Sequence, residues 1–494
     1  DALGGEEQFH YDALGRIIEK IDKEGHSIFY TYTADSKPES ILYSDGNRAE
    51  LEYTPLRQLA VIKDWLGETR INRDNQGNPV SITNHKGETV HYQWGSMGER
   101  QKITYPDGTK VSWKYDSLLR PIQMNRIAEN KEPLWIDYKY NRQGHLTEKK
   151  SVGGYRTLWI YNESGQLEEL LHEDTAGVLD KFHYTYDAMG NKTAIQKQRR
   201  GLPEESGCYQ YSYDKLQRLI GVEKDGKRIR SYQYDTFSNR IEMEDNTKGI
   251  KNIYQYNALN QLVEQEIWET PDITSKINTF INGNDIDNIK HNNNANILHK
   301  TFTYDKRGNL TGEYQEDALL HGYHFNRMNR LEKAWNHQGE EAQYFYNALG
   351  QRTGRTANGE IEDYLLDLTK PYHNLLELQK GKQTQTFFWD FNAAVMEDEK
   401  RNLQYYLQDD LGSPLRVLYR NGYGEAYGYD EFGTELYESE PRKEEKTRKK
   451  YGKQGENQPF GYTGYRYDNI SGSYFAQARE YLPEIGRFIS EDII

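Results

Sequence analysis

The sequence has a single cysteine, Cys208, among 494 residues, so an internal disulfide framework and a cysteine-based metal site are excluded. No apolar run approaches the roughly 18 residues of a membrane-spanning helix, and none is predicted. Basic residues are outnumbered, and the formal net charge is -14. Because nucleic acids and anionic membranes are bound by basic surfaces, neither is an expected partner.

Hydrophobic residues make up only 35% of the chain, yet it contains 41 Tyr and 8 Trp. Disordered segments are poor in aromatic residues, so this composition predicts an ordered protein. Abundant Tyr with Gly, Asn and Thr favours strands and turns over helices. We predict neither a cofactor nor a metal ligand set.

One pentapeptide, Tyr-Asp-Ala-Leu-Gly at Tyr11–Gly15, returns with small changes along the chain. Copies lie at Tyr186–Gly190, Tyr256–Asn260 and Tyr346–Gly350. The spacing between successive units is about 21 residues, which is typical of repeat architectures. The second aromatic residue of well-preserved units lies at positions 11, 32, 53, 213, 234, 256, 304, 325 and 346.

Each unit reads Tyr-x-Tyr-Asp-x-x-Gly-x-Leu and ends with a second, often Gly-containing turn. Tyr-x-Tyr places two aromatic side chains on one face of a strand. Asp and Gly at these positions suit a type I turn with a Gly bulge, and two turns in about 21 residues leave no room for a helix. We therefore predict an all-β fold: a long spiral antiparallel sheet of β-hairpin repeats that winds on itself.

The interval from Tyr256 to Tyr304 is about twice the usual step, so we predict two units there, one of them degenerate with an extended loop (Thr274–Lys300). His291 and His299 lie in this polar stretch. Metal ligation by them is the alternative to a simple Asn-rich loop, and we favour the loop.

A different block begins near residue 361 and contains three conspicuous segments. They are Tyr-Tyr-Leu-Gln-Asp-Asp-Leu-Gly-Ser from Tyr405, Tyr-Asp-Glu-Phe-Gly from Tyr429, and Pro459–Ile494 with Ala-Arg and Gly-Arg-Phe. The repeats resemble YD (RHS) repeats, and this block resembles the RHS repeat-associated core domain. We accordingly divide the chain into repeats, 1–360, and a core domain, 361–494.

The resemblance implies a hollow β-shell closed by the β-rich core domain, which acts as a plug. In bacterial polymorphic toxins and in C components of insecticidal toxin complexes, such shells encapsulate a variable C-terminal effector. We expect a secreted or cell-surface bacterial protein whose partner is that enclosed effector segment. The alternatives are a teneurin-like surface adhesin that binds protein or glycan without cargo, and a structural cell-wall protein.

The resemblance also implies intramolecular aspartyl-type self-cleavage that frees the effector. Peptide hydrolysis by carboxylates needs two aspartates close enough to share a proton, one of which activates water, and Asp492, which follows Gly-Arg-Phe, is the first candidate. Arg479 and Arg487 are candidates for holding carboxylates or the scissile carbonyl through their donor forks. The alternative for both arginines is structural pairing with carboxylates or backbone carbonyls.

Two departures from the family pattern limit this activity. Leu482 stands where the family has an aspartate, and Glu484 is weakly placed to replace it. The sequence reaches Ile494 without the family's Asp-Pro-x-Gly cleavage segment, so we expect this chain alone to be inactive as a protease. The opening Asp-Ala-Leu-Gly-Gly reads as a cut repeat, and we expect a capping domain or partner chain at that end, since long sheets need covered edges.

Two further features have simple interpretations. Ser413 resembles a nucleophile superficially, but its Gly and Pro neighbours predict a turn that Asp409 and Asp410 also serve. The basic run from Pro441 to Lys453 has no apolar face and reads as a solvated loop.

Overall fold

The computed structural model describes residues 1–127, 131–269, 297–370, 372–437, 452–453, 455 and 457–491. These residues contain no α-helix, and two 3-10 turns occur among them, at Pro203–Glu205 and Tyr462–Gly464. Consequently, no helix in the described part is long and apolar enough to cross a membrane. The strands form one 37-stranded sheet and one four-stranded sheet.

The large sheet comprises a first winding, β1–β24, and a second winding, β25–β37. The first winding contains β1 (Gln8–Tyr11), β2 (Ile17–Ile21), β3 (Ser27–Tyr32), β4 (Pro38–Tyr43), β5 (Arg48–Tyr53), β6 (Leu59–Asp64), β7 (Gly67–Arg73), β8 (Pro79–Thr83), β9 (Thr89–Trp94), β10 (Arg100–Thr104), β11 (Lys110–Tyr115), β12 (Pro121–Ile127), β13 (Leu134–Tyr140), β14 (Leu146–Ser151), β15 (Arg156–Tyr161), β16 (Leu167–Asp174), β17 (Gly177–Tyr186), β18 (Lys192–Arg199), β19 (Gly207–Tyr213), β20 (Leu219–Lys224), β21 (Lys227–Tyr234), β22 (Arg240–Asp245), β23 (Ile250–Tyr256) and β24 (Leu262–Glu269). The second winding contains β25 (Ile297–Tyr304), β26 (Leu310–Gln315), β27 (Ala318–Phe325), β28 (Leu331–Asn336), β29 (Glu341–Tyr346), β30 (Arg352–Ala357), β31 (Glu360–Asp367), β32 (Asn374–Lys380), β33 (Gln383–Trp389), β34 (Ala393–Glu397), β35 (Leu403–Gln408), β36 (Pro414–Tyr419) and β37 (Gly424–Ala426). The small sheet contains β38 (Arg466–Asp468), β39 (Ser473–Phe475), β40 (Glu480–Leu482) and β41 (Arg487–Phe488).

Every strand of the large sheet pairs antiparallel with the next strand in sequence, as in β1 with β2 and β36 with β37. The turns therefore alternate between two edges of the ribbon. We call the edge with the turns from odd- to even-numbered strands, such as 12–15 and 326–329, the YD rim. The opposite edge, with turns such as 22–25 and 64–67, is the second-turn rim. The predicted all-β spiral ribbon of hairpins is confirmed.

The YD turn has the predicted chemistry. At Asp12–Gly15 the Gly15 N–H donates to the Asp12 carbonyl at 3.0 Å, and the Asp12 carboxylate accepts from the Leu14 and Arg16 N–H groups at 2.9 and 3.0 Å. Gly15 has φ 76°, the left-handed region that favours glycine. A register shift between His10 and Tyr11 marks the bulge.

The second Tyr of many units has a role that the sequence pattern did not reveal. Its hydroxyl donates to a backbone carbonyl of the preceding hairpin, as Tyr32 does to Ile17 at 2.6 Å and Tyr140 to Pro121 at 2.8 Å. In some of these units the ring also lies under the arginine that follows the previous YD turn, as Tyr32 lies 4.8 Å from the Arg16 guanidinium carbon. One tyrosine thus joins two neighbouring hairpins by a hydrogen bond and a cation–π contact.

The prediction of two units between Tyr256 and Tyr304 is wrong. Strand β24 pairs directly with β25, with Glu264 opposite Thr301, so the ladder holds one unit there. Residue spacing cannot distinguish an extra hairpin from an insertion at a turn. His291 lies outside the described residues, whereas His299 lies in β25 and its backbone N–H donates to the Glu316 carboxylate at 2.8 Å.

The ribbon coils so that the second winding lies on the first. Trp65 donates its indole N–H to the Tyr346 carbonyl at 2.9 Å, and the Ala348 N–H donates to the Asp64 carboxylate at 2.8 Å. An ion pair between Lys86 and Asp363 continues the contact between the windings. At the turn 347–350, therefore, the YD rim of the second winding rests on the second-turn rim of the first.

Strands β34–β36 are buried along almost their whole length because both their faces are covered. On one face, Val395 and Tyr405 pack against Met124 of the first winding. On the other face, Met396 packs in a cluster with Phe460. A sheet covered on both faces needs apolar residues at consecutive positions, which explains the loss of alternation in this part of the sequence.

Residues 457–491, here called the C-terminal segment, contain the small sheet β38–β41. They pack on the aromatic face of β23–β30, where Phe475 and Leu482 join one buried cluster with Tyr254 and Tyr344. The hydroxyl of Tyr323 in this face donates to the Ser471 carbonyl at 2.9 Å. The Tyr-x-Tyr face of the ribbon is thus the face that the C-terminal segment covers.

Candidate functional site

Arg487, a predicted site residue, anchors the C-terminal segment to the first winding. Its guanidinium donates to the Asn239 side-chain oxygen at 3.2 Å and lies 4.9 Å from the Tyr256 ring centre. Asn239 itself donates to the Asp235 carboxylate at 2.8 Å within a YD turn. Arg487 therefore fixes the segment against a turn of the shell, at the start of the stretch that leads towards position 492.

Arg479 lies elsewhere. Its guanidinium carbon stacks 3.9 Å from the Phe488 ring centre. Because Arg487 and Phe488 are consecutive residues of a strand, they point to opposite faces, and Arg479 shares the face of Phe488. The structure thus does not bring the two predicted arginines together.

Asp492 lies outside the described residues, and its catalytic role stays a prediction. The residues before it are firmly placed. The Ile489 carbonyl accepts a hydrogen bond from the Leu310 N–H at 2.8 Å, and the Glu491 carboxylate lies 3.1 Å from the Lys23 ammonium group. The segment leading to position 492 therefore crosses from the second winding to the first.

The two positions that depart from the family pattern have distinct surroundings. Leu482 is 2% exposed and packs with Ile470 and Ile485 in the apolar cluster under the C-terminal segment. Glu484 is exposed and lies 3.3 Å from the Lys300 ammonium group. A carboxylate at position 482 would be desolvated there, whereas Glu484 forms an ion pair with the shell wall.

Two buried ion pairs under the C-terminal segment were not identified from the sequence. In the first, the Arg352 guanidinium contacts the Glu480 carboxylate, which also accepts from the Ser473 hydroxyl at 3.0 Å. Burial raises the pKa of the Glu480 carboxyl even though Arg352 opposes the rise. The two residues of this pair are 128 positions apart, so the sequence around either one does not predict the contact.

The second pair centres on Asp468. The Arg355 guanidinium and the Tyr344 hydroxyl donate to its carboxylate at 2.6 and 2.7 Å. Burial alone would raise the pKa of Asp468, but these two donors hold it below its ordinary value. Arg355 also donates to Glu362 at 2.7 Å. In both networks the carboxylate is bound to an arginine. Such buried ion pairs attach the C-terminal segment to the ribbon.

A cavity of about 1250 Å³ lies between the second winding and the C-terminal segment. Its wall carries charges of both signs, among them Arg355, Arg416, Lys380, Glu425 and Asp468. Small-molecule sites are mostly apolar with a few converging polar groups, and this wall does not have that character.

Ser413 serves a turn, as predicted. It is fully buried, its hydroxyl accepts from the Thr463 N–H at 2.9 Å, and its own N–H donates to the Asp409 carboxylate at 2.7 Å. Burial raises the pKa of Asp409 to about 6, with Asp410 adding to the rise. Of the basic run, only Gly452 and Lys453 belong to the described residues.

Among the residues that the structure describes, one group has the geometry to hold a cation: Asp22, Glu24 and His26. Arginines of the second winding already face it. The Arg307 guanidinium lies 3.1 Å from the Glu24 carboxylate, and an Arg327 nitrogen lies 3.1 Å from His26 Nδ1. The group is therefore a charge-paired contact between windings.

The repeated YD turns, the coiled ladder and the inward-packed C-terminal segment define a YD-repeat shell protein. A family model described as Teneurin YD-shell matches residues 66–179 and 178–494, which is most of the chain. The chain belongs to the Teneurin YD-shell family.

Relatives include bacterial toxin proteins. Toxin subunit YenC1 of Yersinia entomophaga is 22% identical over 97% of this chain and 57% of its own length. Double-stranded DNA deaminase toxin A of Burkholderia cenocepacia is 25% identical over 46% of this chain and 16% of its own length. The crystal structure of TcdB2-TccC3 without its hypervariable C-terminal region aligns with 98% of this chain and 30% of that chain, at 15% identity and a TM-score of 0.46. The chain thus spans little more than half of the length of YenC1 and less of the deaminase toxin.

Proposed function

We propose that this chain is the shell of a secreted bacterial polymorphic toxin, and that it encloses a C-terminal effector. One observation carries the proposal. The C-terminal segment lies on the aromatic face of the ribbon, and Ile489 is still only 2% exposed. At Ile489, therefore, the polypeptide still lies on the covered face of the ribbon, which is where an enclosed effector would begin. The family and the toxin relatives support the same function.

Residues 361–494 are proposed to close the shell as its core domain. Within them, β31–β37 continue the ladder, and the C-terminal segment crosses it. The cavity of about 1250 Å³ between the ribbon and the C-terminal segment is lined by charges of both signs.

Release of the effector is proposed to follow self-cleavage of the aspartyl type, with Asp492 as the carboxylate that activates water. Arg487 is proposed as the positioning residue, because its contacts with Asn239 and Tyr256 fix the strand that leads to Asp492. Arg479 would act only by holding β41 through its stacking on Phe488. The two arginines are thus given different roles.

Protease protection of the complete gene product tests enclosure. Trypsin is added to the native protein and to protein unfolded in urea, and the effector fragment is followed by mass spectrometry. Enclosure predicts that the effector resists digestion only in the native protein, and that electron microscopy shows hollow particles with internal density. An effector digested equally in both samples, or particles without an interior, would support the adhesin alternative instead.

A further inference from the structure

The C-terminal segment reaches a junction between the two windings at its last described residue, Glu491. Two turns meet at this junction, 22–25 of the first winding and 305–308 of the second, and the Arg307 guanidinium lies 3.1 Å from the Glu24 carboxylate. Arg307 is only 8% exposed, so the contact between the turns is covered from solvent. Glu491 lies against both turns.

Lys23, in the first of these turns, binds Glu491. The Lys23 ammonium group lies 3.1 Å from the Glu491 carboxylate and 3.0 Å from the Asp1 carboxylate. The Lys23 side chain is 14% exposed, and that of Glu491 is 44% exposed. An ion pair of this exposure adds little to the stability of the whole protein. Its local effect is to fix Glu491 relative to the first winding.

The second turn leaves room for the Glu491 side chain. Gly308 has φ 86°, and a Cβ at this position would lie 2.5 Å from a Glu491 carboxylate oxygen and 2.6 Å from the Glu491 Cγ. Any side chain at position 308 would therefore push the Glu491 carboxylate out of its present place beside Lys23. At the same turn position in the first hairpin, a Cβ on Gly15 would meet nothing within 4 Å. The close fit at Gly308 is thus not a requirement of the turn itself.

From these contacts we propose that Lys23 is a positioning residue for self-cleavage, and that it acts through Glu491, the residue before Asp492. Lys23 holds Glu491 against the first winding, while the Leu310 N–H holds the Ile489 carbonyl against the second at 2.8 Å. A displacement of about 1 Å, caused by a change far from the chemistry, can slow a reaction about a hundredfold. Because the two restraints come from different windings, cleavage is fast only when the windings are seated on each other. The inference rests on the proposed self-cleavage through Asp492.

The cleavage rate of the freshly synthesised complete gene product tests the inference. The protein is made by cell-free translation, samples are stopped in denaturant at set times, and the uncut fraction is measured on gels. Lys23→Met should cleave about tenfold more slowly than the parent, and Lys23→Arg, which keeps the positive charge, should recover most of the rate. The matched control is Lys20→Met, which breaks a neighbouring ion pair with Glu7 and should cleave like the parent.

Two glycine variants test the same contact from the second turn. Gly308→Ala and Gly15→Ala both place alanine in the left-handed region, so both carry the same backbone cost, but only Gly308→Ala displaces Glu491. Gly308→Ala should therefore cleave more slowly than Gly15→Ala. The unfolding temperatures of Lys23→Met and Lys20→Met should agree, which separates a positioning role from a general loss of stability.

The outcomes distinguish this inference from the proposed self-cleavage. A parent that stays uncut would overturn both. A cleaved parent beside a Lys23→Met variant that cleaves at the same rate would overturn this inference alone. Equal slowing of Lys23→Met and Lys20→Met, equal slowing of the two alanine variants, or no recovery in Lys23→Arg would also overturn it, because the contact with Glu491 would then not explain the rates.

Discussion

Asp180 and Arg416, 236 positions apart, form a buried two-point ion pair between the windings. Arg416 donates to the two carboxylate oxygens at 2.8 and 2.9 Å, and Arg199 donates to the same carboxylate at 3.0 Å. Burial would raise the pKa of Asp180, but these two arginines lower it to about 2. One carboxylate in β17 therefore holds together two parts of the ribbon that share no strand pairing.

Replacing Asp180 by Asn should destabilise the protein strongly. The change leaves the buried Arg416 without its carboxylate and Arg199 with Glu205 alone, and breaking a buried pair in this way typically costs about 3–5 kcal/mol. Thermal unfolding followed by tryptophan fluorescence measures the effect. The matched control is Glu52→Gln, which breaks the exposed pair with Lys63, and it should leave the unfolding temperature unchanged. Equal effects of the two variants would contradict the assignment of Asp180 as an anchor.

The left-handed backbone conformation at Gly190 in the YD turn predicts which substitutions of this residue destabilise the protein more. This residue has φ 89°, and an added Cβ would meet only the Gln166 side chain at an ordinary contact distance of 3.7 Å. Ala in the left-handed region costs about 1–2 kcal/mol, whereas Asn enters it more easily. The chain itself uses Asn260 and Asn329 at this turn position, with φ 58° and 57°.

The unfolding temperature should therefore fall more for Gly190→Ala than for Gly190→Asn. The same order is expected for the amide exchange rates of the two flanking strands, β17 and β18. An alanine variant as stable as the asparagine variant would show that backbone conformation does not limit this turn.

Glu377 makes stability depend on pH. Burial raises the pKa of this carboxyl to about 7, and the nearby Asp107 and Glu88 carboxylates of the first winding add to the rise, while Lys131 opposes it. The folded protein therefore keeps a proton on Glu377 between about pH 4.5 and pH 7 that the unfolded chain releases. Its contribution to stability is full below pH 4.5 and is lost as the pH rises through 7.

Glu377→Gln removes this loss, because the amide does not titrate. Relative to the parent, the variant should gain on the order of 2 kcal/mol in unfolding free energy between pH 5 and pH 8, allowing for partial solvent screening. Urea unfolding at the two pH values measures the difference. A constant difference between variant and parent across this range would contradict the assignment.

The hairpin ladder could be predicted from the sequence because its determinants are local. Three features act within one unit of about 21 residues: Tyr-x-Tyr, the Asp of the turn and the Gly with positive φ. The sequence of each unit therefore determines its own hairpin. The miscounted unit after Tyr256 shows the limit of this approach. Spacing records the number of residues and not the number of strands that pair.

The contacts between windings could not be predicted in the same way. Two ion pairs, Asp180–Arg416 and Arg352–Glu480, each join positions more than 100 residues apart. The sequence around either residue of a pair does not indicate which distant residue it contacts. The family pattern located Arg479 and Arg487, but not the faces to which they point. Arg479 directly precedes β40 and Arg487 begins β41, and these strands are only three and two residues long, so the sequence gives no alternating pattern from which the two directions could be predicted.

Intact mass spectrometry of the complete gene product, beside its Asp492→Asn variant, tests the central claim most directly. The account predicts two fragments from the parent, with the effector fragment still inside the particle, and one uncut chain from the variant. An Arg487→Gln variant should cleave more slowly, while Lys382→Gln, on the far rim, should cleave like the parent. A single uncut chain from the parent, or cleavage of the Asp492→Asn variant at the parent's rate, would contradict self-cleavage through Asp492.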